Sequence, residues 1–324
     1  MSSDRDVLSG DVKPTNYSIS LSNIQTGEPW TYQGTVDITL QIKKAVKSIT
    51  LNTFELKVHK ASVAVEGGKH ASSVQASNIS YDTKNQRCTF DFDQEIPEAQ
   101  KAVLSVSFEG VMNNKMAGFY RSKYKPAVEP AKGVPRDAEN HYMGSTQFES
   151  SDARRAFPCF DEPNLKASFD FEIEIPDDLV ALSNMPERQT RKSKREGWKV
   201  VSFERSPVMS TYLLAWAFGD FEYIEEFTQR KYNGKSLPVR VYTTRGLKEQ
   251  GRLALESAHQ IVDYFSEVCR IPRSEHDETL LTILQIFDID YPLPKADLLA
   301  VHEFVRIRSS LHFAQELMAF FSPS

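Results

Sequence analysis

At 324 residues, with 40% apolar and 26% charged, the chain is long enough for two domains that each bury a core, and its balance is that of a soluble globular protein. A formal net charge of −5 argues against nucleic acid or an anionic membrane as partner. Three cysteines (Cys88, Cys159, Cys269) cannot all pair and lack metal-ligand spacing, the opening Met-Ser-Ser-Asp-Arg-Asp holds no apolar run, and no window approaches a membrane span, so a reduced, cytoplasmic location is expected.

From about Thr15 to Phe227 the chain reads as short alternating runs separated by turn residues. Val36, Ile38, Leu40 and Ile42 share one face of a strand, and Cys88–Phe92, Val103–Phe108, Phe169–Ile175 and Val200–Phe203 repeat the pattern. Period-two runs without a long helical stripe predict a mostly antiparallel β-sandwich. Thr211–Phe218 is nearly all apolar and predicts a strand buried on both sides. Sequons at Asn16 and Asn78 have no secretory signal beside them and are read as chance. Beyond Glu225, Leu237–Tyr242 predicts a strand and Gly246–Glu267 a helix with Leu253, Leu255, Ile261, Val262 and Phe265 near one face.

One segment departs from any strand or helix pattern. Gly144–Pro163 combines acids, arginines, aromatics and two prolines, which fix φ and remove donors, so it predicts an irregular segment held by its side chains. Asp152, Arg154, Arg155, Asp161 and Glu162 can neutralise one another in forked ion pairs, with Phe148, Phe157 and Phe160 as the apolar anchor. Gln147 and Glu149 are then free to point into a site; the plainer alternative pairs the Glu149 carboxylate with Arg154 or Arg155.

The same segment resembles the TQFExxxARxAFPCFDEP signature of the M1 zinc aminopeptidases, specifically the puromycin-sensitive and fungal cytosolic branch. Val12-Lys-Pro-Thr-Asn-Tyr17, Met116-Ala-Gly-Phe-Tyr-Arg-Ser122 and Tyr291-Pro-Leu-Pro-Lys-Ala-Asp297 are similar, in order, to the family's opening strand, its mid-domain hairpin and the approach to its active site. The resemblance implies a mainly β fold: an N-terminal antiparallel β-sandwich over 1–227, then the incomplete α+β start of a thermolysin-like domain over 228–304. It also implies substrate-binding roles for Gln147, which would line the first side-chain pocket, and Glu149, which would bind the substrate's free α-amino group.

Zinc is the full-length family's cofactor, and the chemistry it supports needs HExxH on one helix. Here the one His-Glu pair, His302-Glu303, is followed by Phe304, Val305 and Arg306, and neither a second histidine nor GAMEN follows. No catalytic or metal residue is therefore assigned, zinc is not expected on this chain, and the chain alone is expected to be inactive. His312 and Glu316 sit four apart but cannot close a zinc site; His276-Asp277-Glu278 reads as a helix N-terminal charge group, and His141, near Gln147, as an ordinary surface or hydrogen-bonded histidine in preference to a pocket residue.

Two stretches have no family counterpart. Residues 268–285 interrupt a run that should join Glu267 to Ile286; Val-Cys can be encoded by a splice-donor sequence and Gln by an acceptor, so the stretch reads as an unspliced intron, with a true loop insertion as the alternative. Residues 305–324 read as a non-family tail produced by reading into a second intron, with a designed truncation or an alternative isoform as the alternatives. Two functions follow: the N-terminal portion of an aminopeptidase acting on peptides with a free N-terminus, bound weakly at best by this chain, or a non-catalytic β-sandwich interaction or peptide-binding module. A core left unfinished within the second unit also predicts poor solubility.

Overall fold

The computed structural model describes residues 7–66, 73–268 and 293–301. In chain order the strands are β1 (Val12–Ser22), β2 (Thr31–Ile42), β3 (Val46–Asn52), β4 (Lys57–Val65), β5 (Val74–Gln75) and β6 (Asn78–Asp82). There follow β7 (Arg87–Ile96), β8 (Ala99–Val111), β9 (Gly118–Tyr124), β10 (His141–Gln147), β11 (Ser168–Pro176) and β12 (Val180–Ser183). The last are β13 (Glu187–Lys192), β14 (Trp198–Phe203), β15 (Trp216–Gly219), β16 (Phe221–Tyr232), β17 (Lys235–Thr244), the helix α1 (Arg252–Val268) and β18 (Ala296–Leu299).

The molecule is mainly β, as the alternation predicts. An eight-stranded sheet runs β13-β14-β11-β1-β2-β8-β4-β5; a three-stranded sheet (β3-β7-β6) and a four-stranded one (β12-β15-β10-β9) share its core. Within these three sheets the strands pair antiparallel except where β1 meets β11 in parallel, with Tyr17 opposite Phe169; β17 and β18 of the second unit also pair in parallel. Those two rings stack with centroids 5.0 Å apart, and the Asn16 amide donates to the Ser168 and Asp170 side chains across the same pair. Val36, Ile38, Leu40 and Ile42 are fully buried, so the face read from the sequence is the face that packs.

Trp216 is the hub of the core. Phe171 stacks on it at 4.7 Å, and Phe148 and Phe119 meet it edge-on at 5.1 and 5.6 Å. Thr211–Phe218, read as one doubly buried strand, is instead a 3-10 turn at Thr211–Leu213 followed by β15. The apolar run signals burial correctly, but burial does not dictate extended backbone, and Thr211 is drawn into a hydrogen bond from its hydroxyl to Asp161.

The second unit is the sheet β16-β17-β18 with α1 packed on it. β16 includes residue 227; its pairing with β17 begins at Phe221↔Thr244, and the register shifts between Phe227 and Lys231. The expected helix opens with a 3-10 turn at Lys248–Gly251 before α1. Leu255, Ala258 and Val262 face Val239, Val241 and Leu237, whereas Leu253 is 75% exposed. The reason is angular: two residues along a helix rotate the side chain by about 200°, so Leu253 and Leu255 cannot share one buried face. The Tyr232 hydroxyl, hydrogen-bonded to Ser266 Oγ (2.9 Å) and to Asp263 Oδ1 (3.1 Å), ties the helix to the hairpin.

Candidate functional site

β10 delivers the first candidate side chain. It lies between β9 and β15, with Gln147 opposite Gly118 and Gly144 opposite Phe218. Gly144 has to be glycine because a Cβ there would lie 2.1 Å from a carbon of the Phe218 ring. Gly118 takes φ of +68°, and a Cβ on it would come within 2.5 Å of Arg155 Cβ, so β9 presses directly on the segment that follows Glu149.

That segment is anchored as its composition predicts. Phe148, Phe157 and Phe160 are buried, and between them the chain makes a 3-10 turn at Ala153–Arg155. Arg154 Nε donates to Asp161 Oδ2 at 2.9 Å and its Nη2 to the Asp161 carbonyl at 3.2 Å, while the other Asp161 oxygen accepts from Thr211 at 2.6 Å. Arg155 donates to Asp152 (2.7 Å) and Glu55 (2.8 Å) and lies over the Phe54 ring. Glu162 accepts from the Leu8 backbone N–H instead of joining the arginines. Backbone groups are satisfied from outside the segment: Tyr17 OH accepts from the Phe160 N–H, Asn52 Oδ1 from the Asp161 N–H, and Tyr32 OH donates to the Ala156 carbonyl. Burial beside the Asp161 charge pushes the Cys159 thiol well above its ordinary range, which makes it a packing residue rather than a nucleophile.

Gln147 and Glu149 sit at the start of this frame, both intermediate in exposure, and the Glu149–Ser150 peptide is cis. Gln147 lines a cavity of about 550 Å³; Glu149 is outside its lining. Glu149 nevertheless reaches the cavity electrostatically. Tyr212, on the cavity wall, has its phenol pushed up first by burial and then by the Glu149 charge. His141 stands at the far end of β10, beside Tyr124 and away from the cavity.

The cavity separates the β domain from the second unit. Gln147, Phe148, Tyr212 and Trp216 form one wall; Ile261 and Val262 of α1, with Leu298 and Val301, form the other. Two charged residues cross it. The Lys295 ammonium, 7% exposed, donates to the Ser183 carbonyl of β12 at 2.8 Å and to the Asp297 carboxylate. Asp297 Oδ1 is buried with no hydrogen-bond donor among the described residues, and burial together with this charge pushes Tyr242 up to about 12. Tyr212, Lys295 and Asp297 were given no role from the sequence. The one signal was the i, i+2 spacing of the last two, which brings both to the same side of an extended strand.

Among the described residues no three His, Cys, Asp or Glu side chains converge as a metal site. His302-Glu303, His276-Asp277-Glu278 and His312/Glu316 lie outside the described residues, as do the tail and, beyond Val268, the suspected insert. No helix among the described residues is long and apolar enough to cross a membrane.

Comparison with known proteins bears on this arrangement directly. Residues 13–213 match the Peptidase M1 N-terminal domain family, a stretch that contains β10, Glu149 and the whole anchored segment. The chain belongs to the M1 peptidase family. It is 36% identical over 303 residues to the alanine/arginine aminopeptidase of Saccharomyces cerevisiae, covering 93% of this chain and 30% of that protein. Against the puromycin-sensitive aminopeptidase of Caenorhabditis elegans it is 36% identical over 295 residues, 90% of this chain and 27% of that one. Aminopeptidase M1 of Arabidopsis thaliana is 36% identical over 274 residues, 85% and 27% of the two chains. The chain thus spans less than a third of the length of these M1 relatives.

Proposed function

We propose that this chain is the N-terminal portion of a cytoplasmic M1 zinc aminopeptidase and that its share of the reaction is substrate recognition. Glu149 receives the free α-ammonium of a peptide, and Gln147 lines the pocket for the first side chain. An α-amino group is largely protonated at pH 7, and a carboxylate in a partly dry cleft recognises that charge by a charge-assisted hydrogen bond. A peptide lacking that charge makes no such charge-assisted bond, which restricts binding to chain ends.

The observation that carries the reading is the pairing of Gln147 in the cavity wall with a Glu149 two residues on, whose charge bears on Tyr212 in that same wall. The neighbouring arginines are committed to Asp161, Asp152 and Glu55, which keeps the segment fixed under the site. Since the sequence contains neither GAMEN nor HExxH, this chain alone hydrolyses nothing, and its affinity for a free N-terminus is weak, with Kd on the order of 1 mM. Incubation with aminoacyl-nitroanilides and added zinc tests the first half: no release of nitroaniline is expected. Turnover that scales with protein and stops on chelation would contradict it.

A further inference from the structure

The hairpin of β13 and β14 carries a charge opposite in sign to that of the chain. From Glu187 to Lys199, Arg188, Arg191, Lys192, Lys194, Arg195 and Lys199 stand against Glu187 and Glu196, whereas the full sequence has a net charge of −5. Every residue of β13 is exposed. Among the described residues Arg191 alone of these cations is in an ion pair, with the two Glu172 oxygens at 3.0 and 3.1 Å, and the Arg195 guanidinium lies 3.6 Å from the centre of the Trp198 ring. Arg188, Lys192, Lys194 and Lys199 have no carboxylate in contact. Lys192 also lies directly opposite Lys199, and like charges facing each other across a strand pair repel. An anion placed beside them would relieve that repulsion.

The backbone of β13 supplies the second half of the argument. β13 ends the eight-stranded sheet, and among the described residues no strand lies along its outer edge, so alternate N–H and C=O groups point away from β14. The Ser193 N–H donates to the Trp198 carbonyl at 2.9 Å and Gly197 takes φ of +73°, a turn that lets the pairing run to the end of β13 at Lys192↔Lys199. Six extended residues span about 20 Å, enough for a peptide to add alongside by main-chain hydrogen bonds. Cations on an edge strand also keep other sheets from pairing with it, but one lysine serves that purpose and charge of either sign would do. Protection therefore does not account for a run of one sign in which lysine faces lysine.

We propose that the outer edge of β13 is the docking site for an acidic, extended segment of a partner protein, which adds to the eight-stranded sheet as a further strand and sets its carboxylates beside Lys192, Lys194 and Lys199. Main-chain hydrogen bonds hold the segment, and the lysines select its charge. A peptide fits this edge better than a nucleic acid does, because a phosphodiester backbone has no donors for the free carbonyls of β13. None of these residues lines the cavity that Gln147 borders, so the docking edge does not depend on the recognition role.

The test is fluorescence anisotropy of the full chain with a labelled peptide of alternating glutamate and valine, about as long as β13, with both ends blocked. Binding is expected with Kd on the order of 10 μM at low salt. Lys192→Glu should weaken it about tenfold without lowering the denaturation midpoint, because the variant turns the repulsion with Lys199 into an attraction. A peptide with proline in place of each valine, which cannot donate from those positions, should also bind about tenfold more weakly. Lys60→Glu, in β4 towards the other edge of the same sheet, should change nothing. The proposal would be overturned by no binding, by binding indifferent to Lys192→Glu, or by an equal loss from Lys60→Glu. Equal affinity for the proline peptide, or tighter binding of a single-stranded oligonucleotide of the same charge, would overturn it as well.

Discussion

Trp216 and α1 illustrate two ways of burying apolar surface in one chain. Around Trp216, aromatic rings from β9, β11 and the segment after β10 pack together, and the irregular stretch from Phe148 to Pro163 buries its three phenylalanines while Arg154 and Arg155 are paired with Asp161, Asp152 and Glu55. Around α1, Leu255, Ala258 and Val262 pack on β17, while Leu253 is 75% exposed. Gln147 is thus carried by the packed β domain, whereas Ile261, also in the cavity lining, belongs to a helix with exposed residues on one side.

The largest effect should come from the closed region. Asp161, its side chain 1% exposed, accepts from Arg154 and Thr211, and Asp161→Ala leaves a mostly buried guanidinium without its carboxylate. The expected loss is about 3–5 kcal/mol, read as a fall in denaturation midpoint. A loss within about 0.5 kcal/mol would mean the segment is not held as described.

Next, α1 can be tested against itself. Leu255→Ala should cost about 2–4 kcal/mol, as for a buried leucine, while Leu253→Ala should stay within about 0.5 kcal/mol. Equal effects would show that both flanks are packed and would erase the comparison. A smaller, local effect is expected at the cavity's charged crossing. Lys295→Met removes the donor to Ser183 and leaves Asp297 with less compensation, so amide exchange of β17 and β18 should accelerate about tenfold while that of β1 and β2 is unchanged. Uniform acceleration across both regions would show one cooperative unit.

The smallest effect is a pH dependence in the β domain. The Asp137 carboxyl is held down to about 2, first by the Tyr142 hydroxyl and then by the Glu139 and Asn140 backbone N–H groups. A depressed folded value means this contribution is present above the ordinary carboxylate range and is lost as pH falls through about 2. Asp137→Asn should flatten the acid limb of the loop 137–142 by NMR and leave the α1 region unaltered.

Much of this was legible in the sequence, and the failures have a common origin. Val36–Ile42 and Phe169–Ile175 announce their buried faces because a period of two is enforced by the backbone itself. The anchored segment was legible because buried charges need partners, and Asp152, Arg154, Arg155 and Asp161 stand within reach of one another. Missing were facts that depend on distant chain: the parallel pairing of Asn16 with Ser168, Glu55 as the second partner of Arg155, and Lys295 reaching back to Ser183. Leu253 was misplaced because apolar character was read without its angle on the helix. Of the site, Gln147 was marked from the sequence, but Tyr212, which links Glu149 to the cavity, lies far along the chain and carries no local signature.

The most direct test of the central claim, that Glu149 and Gln147 form a receiving site for a peptide's amino terminus, is an NMR titration of the Gln147 side-chain amide. Leucinamide at pH 7 should shift it with saturation in the millimolar range, N-acetyl-leucinamide should not, and Glu149→Gln should abolish the response. Equal shifts from both ligands, or a response that survives Glu149→Gln, would contradict the account.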